Sequence, residues 1–74
     1  MDTEGVLAAI GQAIRHVRKD KALSQEELAH AAGIDRSHMG RIERGERNLT
    51  VLNLVRIAAA VGNSPSDILE KAGL

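Results

Sequence analysis

The chain contains no cysteine, so neither a disulfide nor a thiolate metal site can staple it. It also lacks Phe, Trp and Tyr. Its core must therefore be built from Leu, Ile, Val, Ala and Met, which suits helices packed closely through small side chains. The same absence removes the aromatic platforms on which single-stranded nucleic acid is held. No apolar run approaches the roughly 18 residues needed to span a bilayer. The N-terminus has no basic segment followed by an apolar one, and a soluble cytoplasmic protein with no membrane partner is expected. Net charge is absent as well, with ten Lys and Arg against ten Asp and Glu. That falls short of the basic surplus expected of a nucleic-acid binder. With 74 residues the chain is one domain, marginally stable alone, and association is its remaining source of buried surface.

Enzymatic chemistry is not expected. His16, His30 and His38 show no metal-ligand spacing with one another or with acids. No nucleophile–base set or carboxylate pair can be assembled with a site-sized pocket in so short a chain. Neither a cofactor nor a metal is implied.

What is present is helical periodicity. Val6, Leu7, Ile10, Ala13, Ile14 and Val17 recur at threes and fours, which predicts a helix from about Thr3 to Lys21, capped by Asp2 or Thr3. Ser24-Gln25-Glu26-Glu27 is a capping box opening a short second helix that stops at Gly33. Leu23 and Leu28 are spaced for a hydrophobic staple across its start. Asp35 caps a third helix after a turn of only Gly33 and Ile34, and Gly45 ends it in the same manner. Thr50 caps a fourth, which runs to Val61 and stops at Gly62. Ser64-Pro65-Ser66-Asp67 opens a fifth, ended by Gly73. No strand pattern, repeat or linker is visible. The fold class is all-α, a compact five-helix bundle.

The fourth helix is apolar nearly all round, interrupted only by Asn53 and Arg56. One side is expected to face the core and the other a second copy of the chain. Val51, Leu52 and Val55, with Leu69 on the fifth helix, are the candidates for that interface.

The charges are unevenly placed although they cancel. Arg15, Arg18, Lys19 and Lys21 cluster, and Arg36, Arg41, Arg44 and Arg47 cluster again. In the third helix Met39 and Ile42 share one face. At about 100° per residue, Arg36, Ser37, Gly40, Arg41 and Arg44 occupy the opposite arc. Two short helices joined by a tight turn form a helix-turn-helix, whose second helix enters the major groove. Arginine is the side chain most often bonded to guanine edges. Arg36, Ser37 and Arg41 are therefore candidates for base contacts, and His38 flanks them. The alternative is a solvated arginine face. Gly40 lies on the same arc, where it suits either close approach to DNA or relief of a crowded helix contact. Gln25 in the first turn of the second helix can bond a phosphate or stand as a neutral surface residue. Arg47 and Asn48 follow the third helix, where a loop can meet phosphate or the minor groove. For Asn48 an Asx-turn feeding Thr50 is an equal reading. Glu43 sits beside the apolar face and needs a cationic partner, either Arg18 or Arg47.

LSQEELAHAAGIDRSHMGRIERGERN resembles the lambda-Cro/repressor-type helix-turn-helix family. GIDRSHMGRIERGERNLTVLNLVRIAAAVG is most similar to the small controller proteins of restriction–modification systems, a pattern that phage repressors and antitoxins largely share. The resemblance covers nearly the whole chain. It implies a single lambda repressor-like DNA-binding domain over 1–74, dimerising through helices four and five on paired inverted repeats of double-stranded operator DNA. RNA polymerase is a further candidate partner. By position it implies a backbone contact from Gln25 and groove contacts from Arg36, Ser37, His38 and Arg41. It also implies phosphate or adjacent-groove contacts from Arg44, Arg47 and Asn48, and an Arg18–Glu43 pair. His38 departs from the aromatic that controller-like sequences often carry there.

Overall fold

A computed structural model describes residues 2–74. The helices are α1 (Thr3–Asp20), α2 (Gln25–Ala32), α3 (Arg36–Glu43), α4 (Val51–Val61) and α5 (Pro65–Lys71). Their starts are local chemistry. The side chains of Ser24, Asp35, Thr50 and Ser64 each accept a backbone N–H of the first turn they open. Ser24 with Glu27 and Ser64 with Asp67 form reciprocal capping boxes. Asp2 occupies the N-cap position of α1 but makes no side-chain cap bond. Its carboxylate lies beside Gly5, where an added Cβ would stand 2.8 Å from Asp2 Oδ2.

All five helices end in one way. The N–H two residues beyond each last turn bonds back five residues, as in Leu23 to Arg18, Ile34 to Ala29, Glu46 to Arg41, Asn63 to Ala58 and Leu74 to Leu69. This is the Schellman exit, and it requires a left-handed residue just before the donor. That residue is glycine at four exits and Ala22, at φ +57°, at the first.

The core draws one fully buried large side chain from every helix: Ile14, Leu28, Met39, Ile57 and Ile68. Each contributes about 1.5–3 kcal/mol by leaving water. Half-buried Leu23 joins this cluster from the α1–α2 turn, beside the start of α2. On α4, Leu54, Ile57, Ala58 and Val61 face inward. Its other side leaves Val51, Leu52 and Val55 exposed at 78%, 58% and 44%, while Leu69 on α5 is half-buried. No helix among the described residues is long and apolar enough to cross a membrane.

α1 and α3 meet more closely than large side chains would permit. A Cβ on Gly11 would stand 2.5 Å from the carbonyl oxygens of both Ile42 and Glu43. A Cβ on Gly45 would stand 2.8 Å from Ala8 Cα. Two glycines thus hold the end of α3 directly against the backbone of α1.

Candidate nucleic-acid interface

The position of α3 is fixed by a buried polar junction. The Arg18 guanidinium donates to both Glu43 oxygens, Nε to Oε2 at 2.7 Å and Nη2 to Oε1 at 3.0 Å. Its Nη1 donates to the Leu23 carbonyl at 3.0 Å. Gln25 Nε2 donates to Glu43 Oε1 at 3.1 Å. One junction therefore ties α1, the α1–α2 turn, α2 and α3. The Glu43 bond holds the Arg18 pKa above its ordinary value. Arg18 and Glu43 are 9% and 7% exposed, so removing either partner alone would strand a buried charge, at a cost of about 3–5 kcal/mol. Arg47 does not take part.

Asp35 starts α3 by accepting the N–H groups of Ser37 at 3.1 Å and His38 at 3.3 Å. It also accepts the Ser37 hydroxyl. These bonds, the Ser37 hydroxyl first, hold the Asp35 carboxyl below the usual aspartate range. The Ser37 hydroxyl hydrogen is thereby committed to the cap, so that side chain can serve a partner only as an acceptor.

Arg36, Ser37 and Arg41 are exposed on α3, and His38 is half-buried beside them. Arg47 and Asn48 are exposed in the following loop. Asn48 makes no side-chain hydrogen bond among the described residues, and Thr50 is capped through its own hydroxyl to Asn53 N–H; the Asx-turn reading of Asn48 is not realised. Over residues 35–48 four arginines face three carboxylates. Asp35 is occupied by its cap, Glu43 by Arg18 and Glu46 by Arg44. Among the described residues no carboxylate lies within ion-pair distance of Arg36, Arg41 or Arg47. A chain with no net charge thus carries three exposed guanidiniums without an ion-pair partner on α3 and the loop after it.

Three placements sharpen the sequence reading, and for Gly40 the relief of a crowded helix contact is the alternative realised. Gly40 is buried rather than turned to the exterior. A Cβ there would stand 3.2 Å from Gln25 Oε1 and from Arg44 Nη1, so Gly40 makes room for those two side chains. Gln25 is half-buried and turned onto Glu43 rather than projecting into solvent. Arg44 does not project freely. It bonds Glu46, Nε to Oε2 at 2.9 Å and Nη2 to Oε1 at 3.3 Å, which raises the Arg44 pKa and lowers that of Glu46. Gly11 was not visible as a determinant of the site. Its trace in the sequence is a glycine inside a helical pattern, one turn after Ala8 and two before Arg18.

A two-helix unit with a short turn, its second helix exposing arginines and held by a buried ion pair, defines a helix-turn-helix DNA-binding regulator. The chain belongs to the helix-turn-helix family, whose model matches residues 14–68. Its relatives give the narrower group. Control protein C.SmaI of Serratia marcescens is 38% identical over 74 residues, spanning 100% of this chain and 84% of that protein. Control protein C.BamHI of Bacillus amyloliquefaciens is 36% identical over 69 residues, spanning 92% and 85%. The crystal structure of the restriction-modification controller protein C.AhdI from Aeromonas hydrophila superposes with a TM-score of 0.82 at 42% identity, covering 84% of this chain and 94% of that one. The family is one of transcriptional regulators, not of enzymes.

Proposed function

We propose that this protein is the transcriptional controller of a restriction–modification system. In this reading it binds inverted-repeat operator DNA in the cytoplasm as a homodimer, with RNA polymerase as a further partner. The observation that carries the reading is the set of three uncompensated arginines on α3 and its exit loop, presented by a helix whose angle the Arg18–Glu43 pair holds. Arg36 and Arg41, with Ser37 and His38, face base edges. Gln25, Arg44, Arg47 and Asn48 hold phosphates or the adjacent groove.

The dimer forms through Val51, Leu52 and Val55 of α4, with Leu69 of α5 at the edge. It sets two α3 helices roughly 34–36 Å apart, one turn of B-DNA. Near-neutral net charge keeps non-specific attraction modest, so discrimination rests on base contacts.

Fluorescence anisotropy against duplex from the region upstream of the coding sequence tests the reading. Binding at least a hundredfold tighter than to random duplex at the same salt is the expected result. Equal affinity for both would overturn it.

A further inference from the structure

We propose that a DNA backbone phosphate seats in the cleft where α1, α2 and α3 meet, and that Arg15 of α1 is its principal ligand. This inference rests on the DNA-binding reading and extends it to a helix outside the helix-turn-helix pair. The cleft encloses about 250 Å3 and is lined by Arg15, Arg18, Gln25, Glu43 and Arg44.

Its electrostatics favour an anion. The one carboxylate in the wall, Glu43, is buried and already bonded by Arg18 at two oxygens and by Gln25. It therefore repels an incoming phosphate weakly. Arg44 is held by Glu46. Arg15 is exposed, and no carboxylate lies within ion-pair distance of it among the described residues.

The geometry puts the cleft at the edge of the reading surface. Arg15 lies one helical turn before Arg18 and four residues after Gly11, on the stripe of α1 that abuts the end of α3. Gln25 is the first residue of α2, and the N–H groups there have no intrahelical partner. A phosphate between Arg15 and that helix start receives an exposed guanidinium from one side and main-chain donors from the other. The ligand is a phosphodiester of the bound duplex, not a free anion, because the cleft is shallow and supplies only one wholly available side-chain cation.

The test compares Arg15→Gln with wild type and with Lys71→Gln, a control that removes a charge from α5, outside the cleft. Binding to operator and to random duplex is measured from 50 to 300 mM salt, with thermal melting as the check on folding. The expected result is an unchanged Tm, a loss of about five- to tenfold on both duplexes, and a salt slope shallower by about one. Lys71→Gln should alter neither. Scanning single neutral methylphosphonates through the operator should find one position that weakens wild type clearly more than Arg15→Gln. Operator binding by wild type with an unchanged slope for Arg15→Gln would overturn the phosphate seat alone. Equal losses in Arg15→Gln and Lys71→Gln would also overturn it, since that marks a general field. Wild type that binds neither duplex would overturn the seat and the DNA reading together.

Discussion

Gly11 and Glu43 touch backbone to backbone: a Cβ on Gly11 would lie 2.5 Å from the Glu43 carbonyl oxygen. The same turn of α3 carries the Glu43 side chain to Arg18, so this junction sets both the distance and the angle of α3 against α1. Alanine at position 11 gains about 1 kcal/mol in helix propensity, but it forces two main chains apart. Gly11→Ala should lose roughly 2 kcal/mol or more of net stability in chemical denaturation, as overpacked cores do. Gly40→Ala is the contrast. Its new Cβ meets only the tips of Gln25 and Arg44, which can swing aside. That variant should stay within about 1 kcal/mol of wild type. Equal losses for both would remove the distinction between backbone and side-chain contact.

Ala22 takes φ +57° at the end of α1, where the other four helices use glycine. Left-handed geometry costs an L-residue about 1–2 kcal/mol. Glycine gives back about 0.4–1 kcal/mol through the greater freedom of the unfolded chain. The Ala22 side chain is exposed, so no packing is lost with it. Ala22→Gly should therefore stabilise the domain by roughly 0.5–1 kcal/mol, raising Tm by several degrees for a chain of this size. A lower Tm in a calorimetric scan would contradict the strain argument.

The parts of this molecule legible in the sequence are those decided within a few residues. The caps at Ser24, Asp35, Thr50 and Ser64 could be read because donor and acceptor lie within three positions of each other. The exits at Gly33, Gly45, Gly62 and Gly73 could be read because one residue type tolerates their backbone geometry. The first exit was opaque, since Ala22 carries no such mark. The orientation of Gln25, Gly40 and Arg44 was opaque for another reason. Gln25 and Gly40 depend on how α2 packs against α3, and the turn of Arg44 onto Glu46 follows the path of the loop after α3. A helical wheel placed Gly40 among the arginines, whereas tertiary packing buries it. Glu43 lay between these cases: its misfit was local, but the choice between Arg18 and Arg47 needed the resemblance.

Leu52 and Val55 are more than two-fifths exposed, on the face of α4 opposite its core residues. In the proposed dimer, these exposed apolar side chains form the association surface. Leu52→Glu should convert a dimer to a monomer in size-exclusion chromatography with light scattering, because two carboxylates would face each other across a two-fold interface. Far-UV circular dichroism should be unchanged, since neither position belongs to the core. Operator affinity should fall while random-duplex affinity per chain holds. A wild-type protein that is monomeric at micromolar concentration would refute this interface.

Arg44 and Glu46 are bonded to each other in the loop that leaves α3, and both are more than half exposed. An exposed pair contributes little to stability, so its consequence lies in binding. A phosphate that takes Arg44 must displace Glu46, whose charge then remains beside the duplex. Glu46 also feels Arg41, so its field reaches the arginine on the outward face of α3. Glu46→Gln removes the competitor and the repulsion together while keeping the side chain's shape. It should tighten binding to operator and to random duplex by a similar factor, several-fold at low salt and less as salt rises. Because phosphate contacts carry no sequence information, the ratio between the two duplexes should be unchanged. Arg47→Ala should weaken both duplexes more than Arg44→Ala does, since among the described residues no carboxylate pairs with Arg47. Arg36→Ala and Arg41→Ala should instead collapse the ratio. Anisotropy titrations of these variants at two salt concentrations separate the outcomes. An Arg44→Ala loss equal to that of Arg47→Ala would show that Glu46 does not restrain its neighbour.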